Sequence, residues 1–423
     1  MKKLIIILGL VILGHGLQAQ VPAPGEKQAD PILLLNGTAH LGNGEVIENA
    51  AIGFENGIIT VVASNNVSQE KYRVVDIKGK HVYPGFILPA TDLGLNEVSA
   101  VRATQDKAEA GSLKPNVRSI IAYNTDSEII PTLRFNGILT AQIAPKGGLI
   151  SGTSSIVHLD AWNWEDALIT ENDAVHLYWP RKRMSHEESK PEITARYEAT
   201  INTLRDMFQD AKSFANSSGK KSNLKLEAMK GLFDGSKQLF INVAKAKDII
   251  RSVEFAKEFG VKKVVLVDAT DVLLVKDYIK ENNIPVILND VHGMPSSSDG
   301  DVDEAYKLPY LLHQEGILFC LGYSNEVMKT RNLPFYAGTS VAYGMAKEEA
   351  LKSITLNTAK ILNIDNKIGS LEVGKQATLF VSDGDALDMR TNKIESAYIQ
   401  GRKVTLDAMQ QELYQKYKTK YGH

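Results

Sequence analysis

The sequence predicts an α/β fold: a (β/α)8 TIM-type barrel plus a small β-sandwich domain assembled from both chain ends. Two observations lead there. The middle of the chain alternates near-continuous apolar runs with helical periods, as parallel strands buried on both faces require. The two ends are β-rich, and neither has enough strands to close a core alone. The economical solution packs them together, with the middle inserted between them.

Residues 1–19 read as a signal peptide: a basic start at Met1-Lys2-Lys3, an apolar run from Leu4 to Leu13, and Leu17-Gln18-Ala19 before cleavage. The run is too short to span a bilayer, so a periplasmic or secreted protein is expected, with no membrane association after cleavage. Lys+Arg 48 against Asp+Glu 50 gives no reason to expect a nucleic-acid partner. The single cysteine, Cys320, rules out an intrachain disulfide and reads as a core residue. Residues 20–30 form a flexible leader.

The composite β domain takes residues 31–83 with 366–405. Ile32 to Leu35 meets an Asn36-Gly37 turn. Ala51–Phe54 and Ile58–Val62 flank Glu55-Asn56-Gly57 as a hairpin. At the far end, Ala377–Val381, Ile394–Ile399 and Gln400–Val404 supply the remaining strands.

The barrel occupies residues 84–365. Its apolar runs include Phe86–Leu88, Gly137–Ala144, Gln238–Val243, Lys263–Asp268, Ile284–Asn289 and Ile317–Gly322. The helix Ala246–Phe259 places Ile249, Ile250, Val253 and Ala256 on one face; Asp271–Glu281 buries Val272, Leu274, Val275 and Ile279. An open doubly wound sheet is the alternative, but no G-x-G-x-x-G follows any strand. Residues 184–235 read as a charged helical insertion on the rim, with a period through Ile193, Tyr197, Ile201 and Leu204. Residues 406–423 form a closing helix whose Leu413 and Tyr417 share a packing face.

Barrel chemistry gathers where strands end. The residues there are Thr91 and Asp92, Asn242, Asp268, Asp290 and His292, then Ser324 and Asn325. Only His292 among the histidines closes a strand. Lys146-Gly147-Gly148 to Ser155 lacks the order of a phosphate loop and reads as a connection. Trp162 and Trp164 can stack on a ligand ring, though packing is the commoner use of tryptophan.

Tyr83-Pro84-Gly85-Phe86-Ile87-Leu88-Pro89-Ala90-Thr91-Asp92 and Gly369-Ser370-Leu371-Glu372-Val373-Gly374-Lys375 carry a family resemblance. The chain resembles the amidohydrolase superfamily, in particular its imidazolonepropionase-like group. The resemblance implies a hydrolase acting on carbon–nitrogen bonds, other than peptides, of a small amide or lactam. It also implies a divalent metal held by His-x-His on the first strand, two further histidines and an aspartate. At the matching positions stand Ala90 and Asp92, Asn242, Asp268 and Ser324. Catalysis, where it persists, is expected from Asp268, His292 and Ser324, and substrate binding from Thr91, Asp92, Asn242 and Asn325. No cofactor is expected; the alternative is a hard divalent cation on Asp92 and Asp268. The competing function is an inactive ligand-binding barrel, or a regulatory partner of an active paralogue. The partner expected is a small molecule, with a homo-oligomer or a hetero-oligomer with a related amidohydrolase.

Overall fold

The computed structural model describes residues 23–64, 66–182, 189–217, 222–289, 291–294, 300–323 and 326–422. The signal peptide, residues 20–22 of the leader, residues 184–188 and 218–221 of the insertion, Asp290, Ser324 and Asn325 lie outside the described residues.

In chain order the strands are β1 (Ile32–His40), β2 (Val46–Glu55), β3 (Ile58–Ser64), β4 (Arg73–Asp76), β5 (His81–Pro84), β6 (Phe86–Thr91), β7 (Ile138–Ile143), β8 (Ile150–Thr153) and β9 (Ser155–His158). They continue as β10 (Leu168–Thr170), β11 (Ala174–Tyr178), β12 (Gln238–Val243), β13 (Val264–Asp268), β14 (Val286–Leu288) and β15 (Phe319–Leu321). The last are β16 (Leu379–Ser382), β17 (Ile394–Ile399) and β18 (Arg402–Val404).

Both chain ends enter one eight-stranded sheet, ordered β18-β17-β16-β5-β1-β2-β3 with β4 also on β1. The join is the antiparallel β5–β16 ladder, Tyr83 opposite Phe380. Asn56 and Gly57 take φ of +51° and +80°, the two left-handed residues that a tight β2–β3 hairpin needs. Asn36-Gly37, expected as a turn, instead sits inside β1. Its register shifts there, so the extra residue bends the strand without reversing it. Pro84-Gly85 likewise does not reverse the chain. Gly85 donates its N–H to Thr378 O and the next residue, Phe86, to Gly137 O, so the chain passes straight from one sheet to another.

The middle of the chain forms two further sheets, β10-β9-β7-β6 and β15-β14-β13-β12-β11-β8. The run β11 to β15 is parallel throughout, as is β6–β7. Between these parallel runs β8 and β9 lie antiparallel to their neighbours, β8 to β11 and β9 to β7. The sheets touch at both edges. On one side β8 leads into β9 through Ser154 alone. On the other, Leu321 N donates to Ser353 O and Ile87 N to Ile354 O, both at 3.0 Å.

The helix Lys190–Asn216 keeps the period read from sequence and extends it: Ile193, Tyr197, Ile201, Leu204, Phe208 and Ala211 are buried. Ser189 and Glu192 close a capping box at its start. Phe208 meets Phe255 and Phe259 of the Ala246–Phe259 helix, and Tyr197 OH donates to Asp248 at 2.8 Å. Two helical expectations fail in detail. Ile250 is exposed because Ser252 and Phe255 complete the buried face. Leu274 is exposed because residues 272–275 wind as a 3-10 turn before the α-helix begins, which rotates it outward. Asp271 caps a neighbour, accepting from Ala246 N at 3.2 Å. The Met409–Tyr421 helix buries none of its residues, so the packing face expected of Leu413 and Tyr417 stays largely exposed.

Candidate functional site

The parallel ladder sets the site's register. Tyr178 of β11 pairs with Asn242 of β12, and Val243 pairs with Asp268 of β13, so these strand ends lie side by side. Asn289 follows β14 directly and reaches back, donating from Nδ2 to Asp268 Oδ1 at 3.0 Å. Tyr178 is largely buried, and burial raises its hydroxyl pKa, with the charges of Asp268 and then Asp92 adding to the effect. One phenol thus stands within the field of both carboxylates.

Asp92 is the electrostatic centre of this cluster. Its side chain is 6% exposed, and its carboxylate accepts from Lys146 Nζ at 2.8 Å and has Lys107 Nζ at 3.9 Å. A buried carboxylate needs such a partner. Lys146 is placed by the chain just beyond β7, and its backbone N–H donates to Lys107 O at 2.7 Å, which holds the two lysine segments together.

Two non-glycine residues at the site are held in left-handed backbone: Ala90, next to the end of β6, at φ +49° and Asp268, the last residue of β13, at φ +74°. That conformation costs an L-residue about 1–2 kcal/mol and persists where the surroundings impose it. Gln142 imposes it at Ala90, its Oε1 accepting from Ala90 N at 3.0 Å. The same Gln142 donates from Nε2 to Asp173 at 2.6 Å, and Ser154 donates to the other Asp173 oxygen at 2.8 Å. Burial lifts the Asp173 carboxyl to about 6 in spite of these two donors.

The other expected residues fall as follows. Thr91 is buried and its Oγ1 accepts from Leu93 N, so it holds the turn after β6. Asn242 Nδ2 donates to Leu177 O at 3.4 Å. His292 is exposed; its Nε2 bonds Thr339 Oγ1 at 2.7 Å, and its ring packs on Tyr306 and Tyr336. It stands in an aromatic group that reaches the β15 exit through Tyr323 and shows no contact with Asp92 or Asp268. Ser324 and Asn325 are outside the described residues. Trp162 is exposed, whereas Trp164 packs against the core. His158 and His176 are buried in β9 and β11, where burial pushes each imidazole down to about 3.

Lys146, Lys107, Gln142, Tyr178 and Asn289 were not singled out from sequence. The signal for Lys146 was present: a carboxylate at a buried strand exit requires a cation, and Lys146 is two residues past the neighbouring apolar run Gly137–Ala144.

A profile of the amidohydrolase family matches residues 189–406, just over half of the chain. An imidazolonepropionase of Symbiobacterium thermophilum is 23% identical over 405 residues, 88% of this chain and 90% of that protein. An amidohydrolase from Thermotoga maritima MSB8 superposes with a TM-score of 0.78 at 22% identity, over 88% of this chain and 99% of that one. Molinate hydrolase superposes at 0.55 with 14% identity, over 90% and 95% of the two chains. The structural likenesses carry the fold, and the profile carries the kinship: this chain belongs to the amidohydrolase family.

Proposed function

We propose that the chain recognises a small amide or lactam at the β11–β15 strand exits and does so without the histidine metal clamp of its family. Amidohydrolases usually depend on a metal, and the donors present here do not supply a site for one. Ala90 has no donor atom. Asp92 is already neutralised by an ammonium, and Asp268 accepts from Asn289. Among the described residues no three His, Cys, Asp or Glu side chains converge on one point. These donors do not fit a zinc-type ion, which takes four nitrogen, sulfur or carboxylate ligands in a tetrahedron.

The observation that carries the ligand class is Asn289. Its Oδ1 is buried with no hydrogen-bond partner among the described residues, beside a Gly322 that leaves it room. An orphaned buried acceptor costs about 1–3 kcal/mol, and an N–H donor from an amide or lactam offsets it. The same reading takes the two middle sheets as one closed (β/α)8 barrel, supported by their links at both edges, with residues 31–83 and 366–405 as its β domain.

A second reading, turnover of a carbon–nitrogen bond by a re-tooled site, is favoured by the strained backbone at Asp268. An amide and lactam hydrolysis screen on purified protein separates the two. Ligand-dependent stabilisation without turnover supports the binder. Turnover abolished by Asp268→Ala supports the hydrolase. The signal-like N-terminus supports export to the periplasm, which cell fractionation tests. Pairing with a related amidohydrolase is tested by copurification.

A further inference from the structure

Two hairpin turns of the β domain abut. Glu55 pairs with Ile58, and Ile399 with Arg402, so Asn56-Gly57 and Gln400-Gly401 are both two-residue loops. A Cβ on Gly57 would lie 2.9 Å from Gln400 O, which puts the loops in contact. All four residues take φ between +50° and +80°. Asn and Gly suit that conformation, whereas Gln carries a cost of about 1–2 kcal/mol. Strained residues of this kind gather at ligand sites.

The two loops, Trp162 and residues 24–28 wall a cavity of ≈ 620 Å³, a size usual for small-molecule clefts. Residues 24–28 are pinned. Gly25 N donates to Asp160 Oδ2 at 2.9 Å, Gln28 Nε2 to Phe54 O at 2.9 Å, and Gly57 N to Gln28 Oε1 at 3.0 Å. That wall is ordered before any ligand arrives, which lowers the entropic cost of binding.

The lining chemistry selects a ligand class. Trp162 is 66% exposed, a large apolar ring left in water. Asn56 and Gln400 make no side-chain hydrogen bond among the described residues. Gln376 bonds His158 Nε2 through Oε1 at 3.1 Å, which leaves its amide N–H groups unused. Arg402 is committed to Asp160, donating to its backbone carbonyl at 2.7 Å. The charges that remain are Lys27 against Glu26 and Asp166, a balance that does not favour an anion.

We infer that this cavity binds a neutral saccharide. The C–H face of a pyranose with equatorial hydroxyls stacks on the Trp162 ring. Carboxamides at positions 56, 376 and 400 offer donors and acceptors together, as hydroxyl groups require. A nucleotide base would also stack, but its phosphate meets no spare guanidinium and two carboxylates. No lining residue belongs to the strand-exit cluster, so the inference goes beyond the amide or lactam reading and does not rest on it.

Calorimetric titration of the full chain with cellobiose and with N,N′-diacetylchitobiose tests it, with AMP as comparator. The expected result is saturable binding of at least one disaccharide. It should weaken about tenfold in Trp162→Ala, recover in part in Trp162→Tyr, and weaken several-fold in Gln400→Gly. Gln400→Gly relieves the left-handed strain, so its melting temperature should not fall while its affinity does. Lys420→Gln, on the C-terminal helix, should bind as the unmodified chain does. Binding of neither disaccharide, undiminished affinity in Trp162→Ala, or AMP binding as tightly as the disaccharides would overturn the assignment.

Discussion

Lys146 Nζ lies 2.8 Å from Asp92 Oδ1, so an ammonium neutralises the carboxylate that ends the first strand of the middle region. In Lys146→Met the buried Asp92 keeps, as a cationic partner among the described residues, Lys107 at 3.9 Å. Stability should fall by about 2 kcal/mol in urea unfolding, less than for a fully buried pair because the lysine is partly solvated. Adding Asp92→Asn to the same chain should recover most of the loss. A double variant as unstable as Lys146→Met would show that the charge was not the cause.

Asp173 supplies a pH dependence whose sign is fixed. Its native pKa of about 6 lies above the ordinary 3.8, so the folded state holds the proton more tightly. Its stabilising contribution is full below pH ~4 and is lost as pH rises to ~6. The stability difference between wild type and Asp173→Asn should shift against wild type across that window, by on the order of 2–3 kcal/mol. His176 and His158, held near 3, act in the opposite direction, destabilising the fold as pH falls below their ordinary 6.5. They cancel in the comparison because both proteins carry them. A pH-independent difference would contradict the burial of a protonated Asp173.

The charged insertion is part of the core. Phe208 is fully buried against Phe255 and Phe259. Phe208→Ala should cost about 3–5 kcal/mol. Leu413→Ala, on the exposed C-terminal helix, should change stability by less than about 0.5 kcal/mol. Similar losses at the two positions would mean that the C-terminal helix is packed after all.

Gly322 leaves space that Asn289 uses. A Cβ there would sit 2.5 Å from Asn289 Oδ1. Gly322→Ala should therefore push the amide off Asp268, costing about 1–3 kcal/mol and any ligand-dependent rise in melting temperature. Retention of that rise would remove Asn289 from the binding reading.

The parallel strands of the middle region were legible because strands buried on both faces read as unbroken apolar runs such as Val264–Val267. The hairpin was legible because Asn56-Gly57 suits one turn geometry. Asn36-Gly37 carries the same residue types and became a bulge, because strand partners on both sides of β1 outweigh local preference. Asp92, Asn242 and Asp268 could be placed at strand exits by counting along each run. Their partners could not. Lys146 meets Asp92 across 54 residues, and Asn289 meets Asp268 across 21, through backbone geometry that no local pattern encodes. His292 looked like a site residue because it follows a strand, yet its ring turned to Tyr306, Tyr336 and Thr339.

We propose that the Asp92–Lys146 pair, and not a bound ion, sets the charge at the strand exits. Elemental analysis of the purified full chain, read with melting curves in zinc, manganese and magnesium, tests it most directly. The expected result is substoichiometric metal and no shift in melting temperature with any of the three. One tightly held ion per chain, lost in Asp92→Ala together with several degrees of melting temperature, would contradict it.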